Sequence, residues 1–467
     1  MNDMAMHTLR DIPEEQIFDL VQRLDVRGPR YTSYPTVPVW KNDFPVKPYL
    51  EALKRTAEDS APIAIYVHLP YCKSRCLYCG CNSCISSDES RIRRYVTALT
   101  MEMDWVASHF RGRVKHGQLH LGGGTPTHLP PSLLAWLLDY LIERIPAAAQ
   151  AEHSVEVDPR VTTDEHLDLL ARRGFRRISI GLQDLNPAVQ QAVRREYTLD
   201  QLTHFIARSR KAGFTSVNVD LIYGLPLQTR ASWSATLVEI AKIRPDRLAC
   251  FGYAHLPEKI KHQRAIHEED LPDPRARLGM LLDANRFFTD QGYQAIGMDH
   301  FALPEDELAE ARRDSRLWRN FMGYTTSRGM ELLGLGCSAI SEFRDLFVQN
   351  LSVPESYADS IAIGSWAVHR GHKLDLEDRV RKQIINHLMC NLEIDVPDEA
   401  RASGNGLLES LGNAMASLRQ FETDGLLVSR NGGFSITDLG QLFVRNLAMP
   451  FDRYLEGQSD VKFSRTV

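Results

Sequence analysis

Residues 66–84 read YVHLPYCKSRCLYCGCNSC, and this stretch holds five of the chain's eight cysteines. The apolar residues 63–68 lead into it and predict a short buried strand. Cys72, Cys76 and Cys79 then follow with C-x3-C-x2-C spacing. A disulfide framework spreads its cysteines along the chain, whereas crowding of this kind indicates metal binding in a reducing compartment. Thiolates hold iron–sulfur clusters and equally suit zinc. Three thiolates on a four-iron cube leave one iron open to an external ligand with an amine and a carboxylate. Zinc stays open as well, because Cys81 or Cys84 would complete a four-thiolate site. Cys250, Cys337 and Cys390 stand alone.

Outward from this loop the chain keeps a rhythm. Strands are predicted at 63–68, 118–121, 154–157, 177–181, 217–221 and 248–253, with helices at 90–110, 131–145, 163–173, 198–211 and 231–243 between them. Six strands with a helix between each pair make a parallel sheet with right-handed crossovers. A doubly wound sheet and a partial barrel both fit. Polar or glycine residues close nearly every strand, and barrels place their chemistry at those ends. The expected fold is therefore α/β, a partial (β/α)6 TIM-type barrel of parallel strands with an N-terminal arm and a mainly helical C-terminal domain. The expected segments are 1–55 for the arm and its helix, 56–365 for the barrel with extensions, and 366–467 for a winged-helix-like domain. In the arm, Phe18, Leu20, Val21 and Leu24 mark a short helix, and RGPRYTSYPT at 27–36 is too irregular for one. In the last segment a helix is expected at 377–392. A hairpin follows at 426–436, turning at Gly432–Gly433, and Thr437 caps a helix from Asp438.

The chain has 467 residues, 43% hydrophobic and 25% charged, which suits two or three globular domains. A net charge of −5 gives no basic field for nucleic acid, so no DNA or RNA partner is expected. No apolar run reaches the roughly 18 residues of a membrane span. The opening MNDMAMHTLRDIPEEQIF is acidic and lacks the apolar core of a signal peptide, so the cytoplasm is the expected compartment.

The C-x3-C-x2-C spacing after a strand, with Tyr78 just before the last cysteine, resembles the radical S-adenosylmethionine superfamily. The glycines of GGGTPT, Gly122, Gly123 and Gly124, follow one strand later and resemble its motif for the methionine amino group. More narrowly, the chain resembles the family of oxygen-independent coproporphyrinogen III oxidases. The matching segments are RYTSYPT, YVHLPYC, CGCN, GGGTPT, VEVDPR, SIGLQDLN, VNVDLIYGLP, YAHLPE, GMDHFA, NFMGYTT, GLGCSAIS and the terminal FSR, spread over nearly the whole chain. Cys81 falls on the fourth cysteine of the family's C-x3-C-x2-C-x-C signature.

The resemblance implies one 4Fe–4S cluster on Cys72, Cys76 and Cys79, and S-adenosylmethionine as cofactor in two molecules. It implies cofactor contacts at Tyr66, Tyr78, Gly80, Gly123, Gly124, Thr125, Glu156, Gln183, Arg195, Asp220, Ala254 and Ile340, and catalytic roles for Tyr66 and Cys81. Asp220 suits the ribose hydroxyls and Arg195 a carboxylate. Phe321 and Met322 match positions around the cofactors, but Met322 departs from the usual glutamine, and Tyr78 replaces the usual phenylalanine. The implied reaction converts two propionates of coproporphyrinogen III to vinyl groups through a 5'-deoxyadenosyl radical, giving protoporphyrinogen IX in heme biosynthesis. The implied partners are an electron donor such as flavodoxin or ferredoxin and an unidentified electron acceptor, with a monomeric enzyme. Four substrate carboxylates call for cations, and Arg27, Arg30, Lys41 and Arg319 are candidates.

Overall fold

The computed structural model describes residues 9–401, 405–455 and 463–466. It divides the chain into two compact units, residues 41–272 with 329–373, and residues 1–40 with 273–328 and 374–467. This partition is discontinuous, whereas the sequence suggested three consecutive segments.

In the first unit the strands are β1 (Ile63–Leu69), β2 (His116–Gly123), β3 (Ala147–Val157), β4 (Phe175–Gln183), β5 (Ser216–Tyr223), β6 (Arg247–Gly252), β7 (Leu332–Leu335), β8 (Ile340–Phe343), β9 (Leu346–Asn350) and β10 (Val368–Lys373). They lie in the order β10-β9-β8-β7-β1-β2-β3-β4-β5-β6, and pairing is parallel from β7 through β6. A doubly wound sheet reverses its strand order partway. Here the six central strands run 1 to 6 without reversal, the progression of a barrel. The sheet extends on the other side of β1 into antiparallel β8, β9 and β10, leaving an incompletely closed α/β core.

Six of the seven β1 residues are buried, as befits a parallel strand covered on both faces. The crossover helices are α1 (Glu89–Phe110), α2 (Pro131–Arg144), α3 (Asp164–Arg172), α4 (Leu199–Ala212) and α5 (Arg230–Ile243), close to the ranges read from periodicity. Local chemistry sets their starts. Asp88 caps α1, and Thr163, Thr198 and Thr229 open α3, α4 and α5 with reciprocal capping boxes. Helix Val46–Asp59 and strands β7 to β10 did not stand out in the sequence. The strands are four to six residues long, and several carry glycines or polar residues that blunt their alternation. Buried Glu102 of α1 holds the segment around β7 to β9, accepting from Tyr357 Oη at 2.6 Å, Asn350 Nδ2 at 2.7 Å and Gly336 N at 2.8 Å.

The second unit holds helices Glu14–Leu24, Pro274–Asp290 and Leu376–Asn391, and a small sheet of Glu393–Asp395, Gly433–Ile436 and Leu427–Arg430. The expected hairpin is present with a third strand beside it, and Thr437 Oγ1 accepts from Gly440 N at 3.0 Å to cap Asp438–Leu442. Apolar packing explains why the unit is discontinuous. Leu9, Ile17 and Leu20 share one core cluster with Leu278, Leu282, Leu426, Leu439 and Phe443.

Buried His116 and His153 face each other at the start of β2 and within β3, with Nε2 atoms 3.0 Å apart. Their Nδ1 atoms bond the carbonyls of Ile145 and Arg173. Burial pulls His116 down to about 4 and lowers His153 as well. Between pH 4 and the ordinary histidine value near 6.5 the unfolded chain takes up a proton that the folded chain refuses, so stability rises with pH across that window. Acidification from 6.5 to 4 is expected to cost up to about 3 kcal/mol through His116 alone. Thermal melts between pH 7.5 and 4.5 check this, with a shallower acid slope expected for His116→Gln than for the wild type.

Candidate active site

The cysteine loop leaves the C-terminal end of β1 and returns alongside its own start. Residues 71 and 72 pair in parallel with 84 and 85, closed by Cys84 N donating to Pro70 O at 2.7 Å. Two other segments stake its middle. Leu77 N donates to Val193 O at 3.1 Å, and Leu77 packs with Val189, Val193 and Ile222. Buried Gln263 donates from Nε2 to Tyr78 O at 2.9 Å and Ala254 O at 3.2 Å, while His262 Nε2 meets Cys79 O at 2.7 Å.

The triple glycine lies under the loop's root. Gly124 N donates to Leu69 O at 2.9 Å and Thr125 N to Tyr71 O at 3.0 Å. A Cβ on Gly124 would sit 2.5 Å from Pro70 O, and one on Gly123, at φ +112°, would sit 2.7 Å from the His68 ring. Glycine is required at both positions.

Three sulfurs meet three environments. Cys72 Sγ lies 3.5 Å from Thr125 Oγ1, and burial pushes its thiol up to about 11. Cys76 Sγ faces two guanidinium groups, Arg195 Nη1 at 3.5 Å and Arg160 Nη2 at 3.6 Å. Hydrogen bonding from Cys81 pulls Cys79 down to about 6. Cys81 itself is exposed. The arginines are organised by Asp158, which accepts from Arg195 Nη1 at 3.1 Å and Arg160 Nη2 at 2.6 Å. Burial alone would raise Asp158, but the bond from Arg160 and the charges of Arg195 and Arg160 outweigh it and hold the carboxyl below its ordinary range.

These donors fit an iron–sulfur cluster better than one zinc ion. Zn–S bonds near 2.3 Å place thiolates about 3.8 Å apart. Among the described residues, the only trio of His, Cys, Asp or Glu with ligand atoms within 4.8 Å of one another is His387, Glu393 and Asp395. No trio of loop cysteines gathers so tightly. Arg430 already pairs with both carboxylates of that other trio. Soft thiolates spread over a loop and faced by guanidinium groups suit a larger anionic cluster.

Polar residues at the ends of β1 to β5 complete the site. Tyr66 Oη meets His68 Nδ1 at 3.0 Å, and its ring stacks on His120 with centroids 5.8 Å apart. Glu156 accepts from Gly123 N at 3.3 Å, and its Oε1 lies 3.3 Å from His120 Nε2. Burial works against its charge, but His120 and Gly123 N prevail and keep its carboxyl low. Asp220 takes Asn218 Nδ2 on Oδ1 at 2.7 Å and Ser179 Oγ on Oδ2 at 3.2 Å. Gln183 adopts φ +80°, and its buried Oε1 has no hydrogen-bond partner.

Of the residues singled out in the sequence, Tyr66, Cys72, Cys76, Tyr78, Cys79, Gly80, Cys81, Gly123, Gly124, Thr125, Glu156, Gln183, Arg195, Asp220, Ala254 and Ile340 all belong to the barrel unit. Arg195 is buried, and its guanidinium is largely committed. Nε and Nη2 bond Gly181 O, and Nη1 serves Asp158 and Cys76. Phe321 and Met322 belong to the other unit. Asp158, Arg160, His120 and Gln263 were not singled out. The missed signal is a period of two, with Gln118 and His120 on β2, Ser154 and Glu156 on β3 continued by Asp158 just past its end, and Asn218 and Asp220 on β5.

A C-x3-C-x2-C loop rooted on a triple glycine at the end of the first strand of a partial barrel defines a radical S-adenosylmethionine enzyme, which uses a 4Fe–4S cluster and S-adenosylmethionine. Residues 66–240 match the Radical SAM superfamily, and residues 374–443 match the HemN C-terminal domain. The chain is 40% identical over 451 residues to the oxygen-independent coproporphyrinogen III oxidase of Pseudomonas aeruginosa, covering 96% of this chain and 98% of that protein. It is 40% identical over 449 residues to that of Escherichia coli, with the same coverage. The solved structure of coproporphyrinogen III oxidase (HemN) from Escherichia coli superposes with a TM-score of 0.88 at 39% identity, covering 94% of this chain and 99% of that one. The chain belongs to the family of oxygen-independent coproporphyrinogen III oxidases.

Gly124→Ala tests the loop's root. The added methyl must push the Pro70–Tyr71 backbone away, so iron retained per chain after anaerobic reconstitution is expected to fall to less than half the wild-type value.

Proposed function

We propose that this chain catalyses the oxygen-independent oxidative decarboxylation of two propionate side chains of coproporphyrinogen III, giving the vinyl groups of protoporphyrinogen IX in heme biosynthesis. The observation that carries this reading is 40% identity across 96% of the chain to an enzyme of that name, with the cysteine loop intact. When bound, the cluster supplies one electron to S-adenosylmethionine, and the cofactor supplies the 5'-deoxyadenosyl radical that removes hydrogen from the propionate β-carbon. Release of CO2, with one electron passed from the substrate radical to an unidentified electron acceptor, would complete each vinyl group.

The chain's own residues supply position and field. Cys72, Cys76 and Cys79 hold the cluster, with Arg195 and Arg160 balancing its charge through Cys76. Asp220, fixed by Asn218 and Ser179, takes the cofactor's ribose hydroxyls. Gln183 offers its unpaired carbonyl oxygen to a cofactor donor. Gly123, Gly124 and Thr125 present backbone to the methionine end, and Glu156 accepts from its ammonium group. The single Nη2 proton that Arg195 has left over from its five is available to the methionine carboxylate. Tyr78, Gly80, Ala254 and Ile340 extend the binding surface, with room for a second S-adenosylmethionine. Tyr66 and Cys81 act near the reacting centre. Flavodoxin or ferredoxin supplies the electron to a cytoplasmic monomer, the compartment being supported by eight free cysteines.

Anaerobic incubation with reductant, S-adenosylmethionine and coproporphyrinogen III is expected to give protoporphyrinogen IX by mass analysis. 5'-Deoxyadenosine should form faster with the porphyrinogen than without it. Absence of both products from protein holding about four iron and four sulfide per chain would overturn the reading. Cys81→Ser is expected to keep near-normal iron content and lose most vinyl product. A Mössbauer spectrum lacking one thiolate-ligated iron would instead make Cys81 a ligand.

A further inference from the structure

Three sequence motifs that the barrel site does not use converge in the second unit. Arg30 comes from the RYTSYPT arm, Asp299 and His300 from GMDHFA, and Arg319 and Tyr324 from the hairpin around NFMGYTT. In that hairpin Arg319 pairs with Tyr324, and its guanidinium lies 5.3 Å from the Tyr324 ring centroid. The tyrosine is fixed in turn. Its hydroxyl occupies the space where a side chain on Gly297 would begin, and the His300 ring meets it edge-on at 5.1 Å. Asn386 Nδ2 holds the backbone of Arg319 at 2.7 Å through its carbonyl.

The charges at this convergence do not close. Asp299 is buried, with His300 Nδ1 on Oδ1 at 2.7 Å and Arg30 Nη2 at 3.7 Å from Oδ2. Burial opposes its charge, yet His300, Arg30 and Arg319 hold its carboxyl down to about 2. One carboxylate thus faces two permanent guanidinium charges before His300 is counted. Arg319 is the one left short. Its Nε and Nη1 are buried and reach no acceptor. A guanidinium cannot lose its proton to relieve this, and its planar fork is the shape that grips a carboxylate. A charged side chain whose backbone and ring platform are both pinned, with two inward donors empty, lacks one anionic partner.

We infer that Arg319, aided by Arg30, binds a propionate carboxylate of the porphyrinogen, making it a substrate-binding residue outside the barrel. The inference rests on the proposed reaction, whose substrate carries four such groups. Asp299 and His300 serve as positioning residues that keep the guanidinium groups together without neutralising both. A carboxylate also terminates S-adenosylmethionine, so the test has an arm for each source.

The experiment uses anaerobically reconstituted enzyme, coproporphyrin III as a fluorescent tetracarboxylate ligand, and separate titration with S-adenosylmethionine. Arg319→Gln is expected to weaken coproporphyrin III binding at least tenfold and to raise KM for coproporphyrinogen III more than it lowers kcat. Arg319→Lys, which keeps the charge and loses the fork, should fall between. Arg30→Gln, at an exposed side chain, should weaken binding severalfold, and it carries the test if the Arg319 variants do not fold. Porphyrin binding within twofold of wild type in every variant that folds would overturn the inference. Loss of S-adenosylmethionine affinity with porphyrin affinity intact would also overturn it, assigning the site to the cofactor. A wild type that binds no tetracarboxylate porphyrin would overturn the functional reading itself.

Discussion

The structure depends on a close crossing of two backbones at the end of β1. The amides of Gly124 and Thr125 donate to the carbonyls of Leu69 and Tyr71 there, with no space for a side chain on Gly124. The crossing ties the root of the cysteine loop to the turn after β2, so parallel pairing of β1 and β2 passes directly into loop geometry. Because strands 1 to 6 follow in order, the turns after β3, β4 and β5 emerge at the same end of the sheet. Glu156, Gln183 and Asp220 are therefore neighbours of the loop by topology rather than by sequence.

Thiolates in such a place need compensation, and the solution is shared. Arg195 and Arg160 both reach Cys76, and Asp158 stands behind them as their common carboxylate. Asp158 pairs with both cations, and removing it would leave two like charges crowded together beside the Cys76 sulfur. Breaking a buried ion pair by removing one partner costs about 3–5 kcal/mol. This also accounts for the arrangement of Arg195. A residue expected to grip the cofactor's carboxylate as a free fork spends most of its donors on Gly181 O, Asp158 and the Cys76 sulfur.

Periodicity made the barrel legible. Strands β1 to β6 and their helices were readable because long apolar runs alternate with amphipathic stretches, and the threonine caps sharpen the boundaries. The cysteine loop was legible from spacing alone, though spacing left zinc open until the sulfurs were seen not to gather around a point. Strands β7 to β10 stayed hidden because they are short and weakly patterned, and because β7 joins the barrel through a partner far away in sequence, Leu332 pairing with Ala64. The second unit was hidden for the same reason, since Leu9, Leu278 and Phe443 meet only in three dimensions. Asp158 was hidden in plain sight. It follows β3 directly, but only the two arginines it joins, one of them 37 residues away, give it a role.

Met322 shows how a side-chain change is limited by the backbone around it. The family's usual glutamine offers both a donor and an acceptor, and methionine offers only a weak sulfur acceptor. A main-chain contact would have to replace it. The amide of Met322 is already spent, however, donating to Asn320 Oδ1 at 2.9 Å across the hairpin tip. What remains at this position is the carbonyl, an acceptor. Residue 322 therefore offers no main-chain donor to a carboxylate. The hairpin separates these chemistries by position. Its tip keeps an acceptor, the Met322 carbonyl, and its flank keeps the unpartnered guanidinium donors of Arg319, so exchanging the side chain at 322 leaves the donors of the flank in place.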